Sequence, residues 1–449
     1  MKIEGLSEEL TALQAFLCGR IWHAEHLPFS EATILKAKNL KFIKEIDGIY
    51  MMDGKPVCAR CRCEERHFYA TFHCAKCHKV CTYCRKCILM KRVASCDKLV
   101  VWTGPPPAIE KSVVFDWQGQ FTDAQKRVSH ELVDSVKRKQ SRLVHAVCGA
   151  GKTEILFSAI DAALARGDRV CVATPRTDVV LELLPRFQRV FPETEIHALY
   201  GGAEVSQAYA PLIIATTHQL YRFQEAFDTI FVDEADAFPY TYDRSLQLAV
   251  QKAVKQDGAM MLVTATPSRE MVAQYKKQQA YSFIPRRFHG FDLPVPRFQS
   301  LWFYEQQLKW NRVPKKLALW IDACEREGKP YLIFFPTIAL MEKSAHLFSV
   351  PFVYAEEPER KQKVLRLRNG EVKGLLTTTI LERGITIPSL QVAVIGAESS
   401  IFTSSALIQI SGRVGRAAND PTGDIVFFHH GITEQMDRAR QEIMRLNRM

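Results

Sequence analysis

The sequence predicts an α/β chain of two parallel-sheet lobes in tandem, preceded by a small cysteine-rich module. Three observations carry this. From about residue 111 onward, short β-branched apolar runs alternate with helical stretches, the pattern of a parallel sheet covered on both faces. The rhythm breaks at "HGFDLPVPRF", 289–298, where a glycine and two prolines interrupt regular structure. Eight of the 13 cysteines fall within residues 58–87. With 449 residues and 47% hydrophobic content, the chain can bury more than one core.

Taken in order, residues 1–56 read as a helical, mixed-charge region. Their start, "MKIEGLSEELTALQAFLCGR", is acidic and amphipathic and lacks the apolar core of a secretory signal. Residues 57–110 hold the cysteine module and a linker, "TGPPPAI" at 103–109, whose prolines exclude regular helix and strand. The first lobe, 111–290, offers the strands "RLVHAV" (142–147), "RVCVAT" (169–174), "LIIATT" (212–217), "TIFVDE" (229–234) and "MMLVTAT" (260–266). A helix over 152–167 closes on Gly167, a C-terminal cap. The second lobe, 291–449, repeats the alternation with "YLIFF" (331–335), "GLLTTT" (374–379), "VAVIGA" (392–397) and "DIVFFHH" (424–430). These runs are strand-sized, far short of the roughly 20 residues a bilayer-spanning helix needs. An intracellular setting follows, in which thiols stay reduced and disulfides are the weaker reading of the cysteines.

Net charge is +11, compatible with nucleic acid or an acidic membrane surface. The excess concentrates in the cysteine module: residues 54–100 hold 11 Lys/Arg against three acids. Three C-x2-C knuckles lie there, Cys58/Cys61, Cys74/Cys77 and Cys84/Cys87, with Cys63 and Cys81 left over. Such knuckles each give two thiolates to a tetrahedral Zn²⁺, and metal would supply folding energy that so small a segment lacks. His73 and His78 could each replace a cysteine. The basic residues, with Phe68, Tyr69, Phe72 and Tyr83, suit either strand binding by charge and stacking or docking of a partner.

Three strings carry the chemistry. "AVCGAGKT", 146–153, stands between a strand and a helix in the pattern of a phosphate-binding loop, with Ala146 in place of the first glycine. Gly149, Ala150 and Gly151 would turn backbone N–H groups toward phosphate oxygens. Lys152 would reach the β/γ-phosphates of ATP, and Thr153 would ligate Mg²⁺. "FVDEAD", 231–236, ends an apolar strand in two acids: Asp233 to hold Mg²⁺ and Glu234 to orient and deprotonate the attacking water. "QISGRVGR", 409–416, puts Arg413 and Arg416 three apart, on one face if helical, to meet charge on the transferred phosphoryl group. "TTTILERGITIP", 377–388, contributes Thr378 at a strand end and Gly384 for close approach to nucleotide or phosphate. "ATPRTD" and "TTHQL" add Thr174, Pro175, Arg176, Thr216 and Thr217, groups suited to a nucleic-acid backbone.

Together, in this order, these strings resemble superfamily 2 helicases with two RecA-like lobes. Gln125, in "FTDAQ", resembles the adenine-recognising glutamine of that superfamily. The literal D-E-A-D suggests an RNA helicase, but Gln409, Thr264-Ala265-Thr266 and Thr386 depart from that branch, and the DNA-acting branch fits better. Longer strings, among them "ATPRTDVVLEL", "DEADAFPY" and "GAESSIFTSSALIQISGRVGR", resemble the ComFA family of late competence proteins from about residue 57 to the C-terminus. Residues 1–50 carry no matching motif.

That resemblance implies an ATP-, Mg²⁺- and Zn²⁺-dependent translocase on single-stranded DNA that helps import transforming DNA. It would be cytoplasmic and peripheral at the inner face of the cell membrane. Its implied partners are ComFC, DprA and the membrane DNA channel, with an oligomer allowed. Two other readings stand beside it: a duplex-unwinding helicase similar to PriA, and a zinc-stabilised DNA-binding scaffold with a vestigial ATPase. The family pattern matches "CARC" and "CRKC", which implies a first zinc on Cys58, Cys61, Cys84 and Cys87. Cys63, Cys74, Cys77 and Cys81 then form a second, nested site, as in the paired zinc sites of PriA, or remain thiols. The scattered Cys18, Cys96, Cys148, Cys171 and Cys324 read as structural.

Overall fold

The computed structural model describes residues 7–109, 114–204, 206, 208–382 and 387–449. It divides into two units: residues up to 144 together with 153–282, and residues 145–152 together with 283–449.

The first unit begins with the helices Glu8–Leu17 and Glu31–Asn39. Leu10, Leu13 and Leu17 recur at the spacing of one helical face and pack with Phe16, Ile43, Val100 and Trp102. The sheet they cover has the antiparallel order Ile21–His23, Lys98–Trp102, Ile43–Asp47. The described part of residues 1–56, expected as helical, is thus mixed, and the central strand of its sheet arrives from beyond the cysteines. Between those parts lie a hairpin, Ile49–Met52 with Lys55–Cys58, and the antiparallel strands Tyr69–His73, Val80–Cys84 and Val93–Ala94.

Among the described residues the large sheet of this unit runs Ile196–Leu199, Leu212–Thr216, Val170–Thr174, Phe227–Asp233, Val254–Thr264, Arg142–Ala146, Tyr281–Ile284. The first five strands are parallel neighbours. Val170–Thr174 and Leu212–Thr216 are buried throughout, which is why they read as unbroken apolar runs. The strand expected at 260–266 starts earlier, at Val254. The cysteine module is no appendage. Cys58, Cys61, Cys63, Cys84 and Cys87 share one buried cluster with Leu199, Tyr221, Phe223, Phe227 and Ile230 of the first unit.

The sheet of the second unit runs Arg297–Ser300, Ile425–His429, Gln391–Ile395, Tyr331–Phe334, Gly374–Thr377, Phe352–Val353, with every neighbouring pair parallel. Leu317 and Trp320 of the helix Lys315–Arg326 pack onto it beside Tyr331, Ile333 and Val426. No helix among the described residues is long and apolar enough to cross a membrane.

Candidate nucleotide site and cysteine centre

A parallel sheet delivers the residues that follow its strands to one edge. In the first unit that edge carries Thr174, Thr216, Asp233 and Thr264, each the last residue of its strand. Asp233 is buried, and its Oδ1 accepts the Glu234 N–H at 2.9 Å. Glu234 stands at φ 56°, a left-handed conformation uncommon for a residue with a side chain. It turns the chain sharply off the strand end. Asp236 was not singled out in the sequence. It accepts from Thr264 Oγ1 and Thr266 Oγ1, each at 2.6 Å, tying the acidic turn to the T-A-T turn of the neighbouring strand. D-E-A-D was read only for its first two acids; Asp236 faces a residue 28 positions away, which no local pattern announces.

Thr153 stands at the N-terminus of the helix Glu154–Leu164 and caps it with no side-chain hydrogen bond. The first amides of that helix are therefore available to an anion. Residues 145–152 belong to the second unit. Gly149 and Gly151 have φ of 80° and 72°, which only glycine adopts without strain, while Ala150 is buried and Lys152 is half-buried. The loop closes on itself through Ala150 N–H to the Val147 carbonyl at 3.1 Å.

Within the second unit this loop touches the arginine string. Cys148 Sγ donates to Gln409 Oε1 at 3.1 Å, and a Cβ on Gly412 would lie 2.3 Å from that of Cys148. Only glycine fits there. Arg287 is a second residue the sequence did not reveal. Its guanidinium is buried and donates to the carbonyls of Val414, at 2.8 Å, and Gly415. Its stem would lie 3.5 Å from a Cβ on Gly149. Burial pushes its pKa down to about 10, so it stays charged at neutral pH. One side chain thus braces both the phosphate-loop glycine and the arginine turn.

The expectation that Arg413 and Arg416 share a helical face is corrected. The helix Ser404–Ser411 stops at Gly412. Gly415, at φ 65°, turns the chain where a Cβ would lie 2.0 Å from the Pro421 carbonyl oxygen. Arg413 is buried in this turn, and Arg416 follows it half-exposed, its Nε donating to the Gly412 carbonyl at 3.1 Å.

Gln125 is buried as the third residue of the helix Asp123–Lys137, and its Oε1 accepts the Thr122 N–H at 2.9 Å while Thr122 Oγ1 accepts the Gln125 N–H. This capping box ties the amide oxygen to the start of its own helix. Thr174, Pro175, Thr216 and Thr217 are buried, with the hydroxyls of Thr174 and Thr217 unpartnered. Arg176 is held by Asp178 through two bonds, of 3.1 and 2.7 Å. Thr378 is half-buried. Gly384, and Thr386 beside it, lie outside the described residues.

In the cysteine module, Cys58, Cys61, Cys84 and Cys87 are fully buried and their sulfurs lie within 4.8 Å of one another. Cys58–Cys87 and Cys61–Cys84 separations are 3.7 and 3.5 Å. A tetrahedron with metal–sulfur bonds of about 2.3 Å has edges of about 3.8 Å, so the quartet fits zinc. The second group of sulfurs is Cys74, Cys77, Cys81 and Cys96. That corrects the expected set: Cys96 takes the place given to Cys63. Cys63 is turned to the first quartet, its thiol against Cys61 and Cys84 and its carbonyl accepting the Cys58 N–H at 3.2 Å.

The rings expected as a stacking platform already carry cations of their own chain. Lys86 Nζ sits 4.1 Å from the Phe68 centroid, and Arg92 lies over Phe72 at 4.0 Å and Tyr83 at 5.8 Å. Tyr69 hydrogen-bonds the Cys63 carbonyl. Lys86 also bridges to Asp243 at 2.6 Å, the cap of the helix Arg244–Ala253. Burial alone would raise the Asp243 carboxyl, but the bonds from Lys86 and Ser245 outweigh it and hold it below the usual range. Lys252, from the same helix, is half-buried and donates to the carbonyls of Arg60 and Tyr221; burial of its ammonium group pushes its pKa down to about 7. The module is clamped to the helix on both sides.

The Competence protein ComFA N-terminal domain matches residues 7–101, the Type III restriction enzyme res subunit 118–269, and the Helicase conserved C-terminal domain 312–418. Competence protein ComFA of Bacillus subtilis is 42% identical over 443 residues, spanning 97% of this chain and 95% of that protein. The chain belongs to the ComFA family. ComFA of Streptococcus pneumoniae is 40% identical over 374 residues, 82% of this chain and 86% of that one. Similarity to ComFA therefore begins near residue 7, fifty residues earlier than the sequence strings suggested. Among solved structures, yeast (S. cerevisiae) Dbp5 bound to RNA and ADP BeF3 superposes with a TM-score of 0.54 at 17% identity, covering 73% of this chain and 88% of that one. That likeness supports the two-lobed helicase fold. The chain is thus a competence-associated protein of the helicase families, with residues of the ATP-hydrolysing type.

Proposed function

We propose that this chain is an ATP-driven translocase on single-stranded DNA that helps draw transforming DNA across the cytoplasmic membrane. The observation that carries the reading is the brace within the second unit, where Arg287 and Cys148 tie the phosphate loop to the turn bearing Arg413 and Arg416. A loop and an arginine turn that share side chains hold their positions relative to one another, as residues acting on the same phosphoryl group must.

Lys152 holds the β/γ-phosphate oxygens, and the helix beginning at Glu154 faces them with its amides. Thr153 and Asp233 would hold Mg²⁺, which would supply positive charge against those oxygens. Glu234 accepts the proton of the attacking water as its oxygen bonds the γ-phosphorus and the bond to ADP breaks. Arg413 and Arg416 balance the charge that develops. The first cysteine quartet would hold zinc, while Lys86 and Lys252 fix the module to the helix Arg244–Ala253. The basic face of the module then meets DNA phosphates or a docked partner, and the cations over Phe68 and Phe72 favour charge over stacking. Family membership supports ComFC, DprA and the membrane channel as partners, with attachment at the inner membrane face.

Displacement of streptavidin from the end of biotinylated single-stranded DNA tests the reading. Wild type should displace it with ATP, and Glu234→Gln should not. Separation of a forked duplex at a comparable rate would favour the unwinding reading instead.

A further inference from the structure

We propose that Cys74, Cys77, Cys81 and Cys96 form a second tetrathiolate metal site, for a zinc-type soft divalent ion, independent of the first quartet and of the translocase reading. The four sulfurs lie within 4.8 Å of one another, with Cys74–Cys96 at 3.6 Å and Cys77–Cys81 at 3.3 Å. Such distances suit the edges of a metal–sulfur tetrahedron, about 3.8 Å, and exceed the roughly 2.05 Å of a disulfide bond. Among the described residues all of these cysteines are free thiols.

A second, independent observation is the backbone. At the first quartet, Cys58 N–H donates to the Cys63 carbonyl, Arg62 N–H returns to the Cys58 carbonyl at 2.9 Å, and Arg62 stands at φ 58°. Residues 74–79 repeat this bond for bond: Cys74 N–H donates to Lys79, His78 N–H returns to Cys74 at 2.9 Å, and His78 stands at φ 53°. The same six-residue turn, with a residue held left-handed at its fifth position, presents two sulfurs to one point in both places. A non-glycine residue in that conformation is costly, and a metal held by the knuckle would offset the cost.

The fourth ligand is set by strand pairing. Cys81 lies in Val80–Cys84 and Cys96 follows Val93–Ala94, which pairs with it. Ser95 N–H donates to the Thr82 carbonyl at 2.8 Å, and Thr82 N–H donates to Ser95 Oγ at 3.1 Å. Asp97 Oδ2 accepts the Ala94 N–H at 2.7 Å. These bonds hold the Cys96 segment across from Cys81. Two thiolates, Cys77 and Cys96, are half-exposed, and a groove of about 620 Å³ lined by Cys74, Cys96, His23, Lys91 and Arg92 opens beside them. The groove carries Lys76, Lys91 and Arg92 against Glu25 and Asp97, a lining of net positive charge beside a site whose four thiolates and ion would sum to −2. The second ion should exchange faster than the first, whose ligands are wholly buried.

Elemental analysis of the full chain purified with zinc is expected to give two ions per chain, one for Cys96→Ser and two for Cys63→Ser. One ion in the wild type overturns the site, and loss of an ion in Cys63→Ser with none in Cys96→Ser overturns the ligand set. Should Cys96→Ser fold poorly, the wild type answers alone. Under stepwise chelation followed by alkylation and peptide mass mapping, Cys74, Cys77, Cys81 and Cys96 should become labelled together as their own ion leaves, ahead of the buried quartet. Labelling of Cys96 before any metal leaves contradicts the proposal.

Discussion

A methyl group on Gly412 would lie 2.3 Å from the Cys148 Cβ, far inside van der Waals contact. Gly412→Ala is therefore expected to push the phosphate loop aside and raise the KM for ATP by about tenfold. Cys148→Gly in the same chain should recover part of the loss, because it removes the atom that clashes. Steady-state ATPase kinetics of the single and double variants check this. Asp236 predicts differently. Its two 2.6 Å bonds to Thr264 and Thr266 are charge-assisted and join two strand ends, while Asp236 itself carries no assigned phosphate or metal role. Asp236→Asn should leave binding of a fluorescent ATP analogue within about threefold of wild type and lower polymer-stimulated turnover by about tenfold. Equal loss of binding and turnover would show that Asp236 acts on nucleotide directly. At this scale the sequence was legible where chemistry is local. The turns at Gly149 and Gly151 could be read because that loop is one short stretch of chain, and both glycines take the positive φ expected of it. Asp236, Arg287 and Cys96 could not, because each works on a residue brought near by the fold.

The elements divide along the same line. The buried strands announced themselves as apolar runs, since both faces of Val170–Thr174 and Leu212–Thr216 are covered. The N-terminal sheet did not: its strands Ile21–His23 and Ile43–Asp47 are short, and they pair with Lys98–Trp102 across the whole cysteine module. Arg413 and Arg416 looked helical by spacing, but the helix ends at Ser411 with Gly412 as its cap, before either of them. The element with most at stake is the helix Arg244–Ala253. Lys86 reaches its cap at 2.6 Å, with both side chains largely buried. Lys86→Ala leaves Asp243 buried without its cation and should lower stability by about 2 kcal/mol, read as a shift of the chemical-denaturation midpoint at constant slope. A change below about 0.3 kcal/mol would mean that the pair behaves as an exposed one.

Across the whole molecule, the cysteine module shares its core with the first unit, so metal, sheet and acidic strand ends are one folding problem. The second unit holds the phosphate loop and the arginine turn in one brace. Family membership at 42% identity over 97% of the chain gives these parts a setting in competence. The central claim is that they make an ATPase driven by single-stranded DNA, and turnover measured with each polymer tests it most directly. ATP hydrolysis should be slow without polymer, rise at least about tenfold with single-stranded DNA, rise less with duplex and RNA, and fall at least about 100-fold in Lys152→Ala. Equal stimulation by RNA and single-stranded DNA, or turnover that survives in Lys152→Ala, would contradict the account.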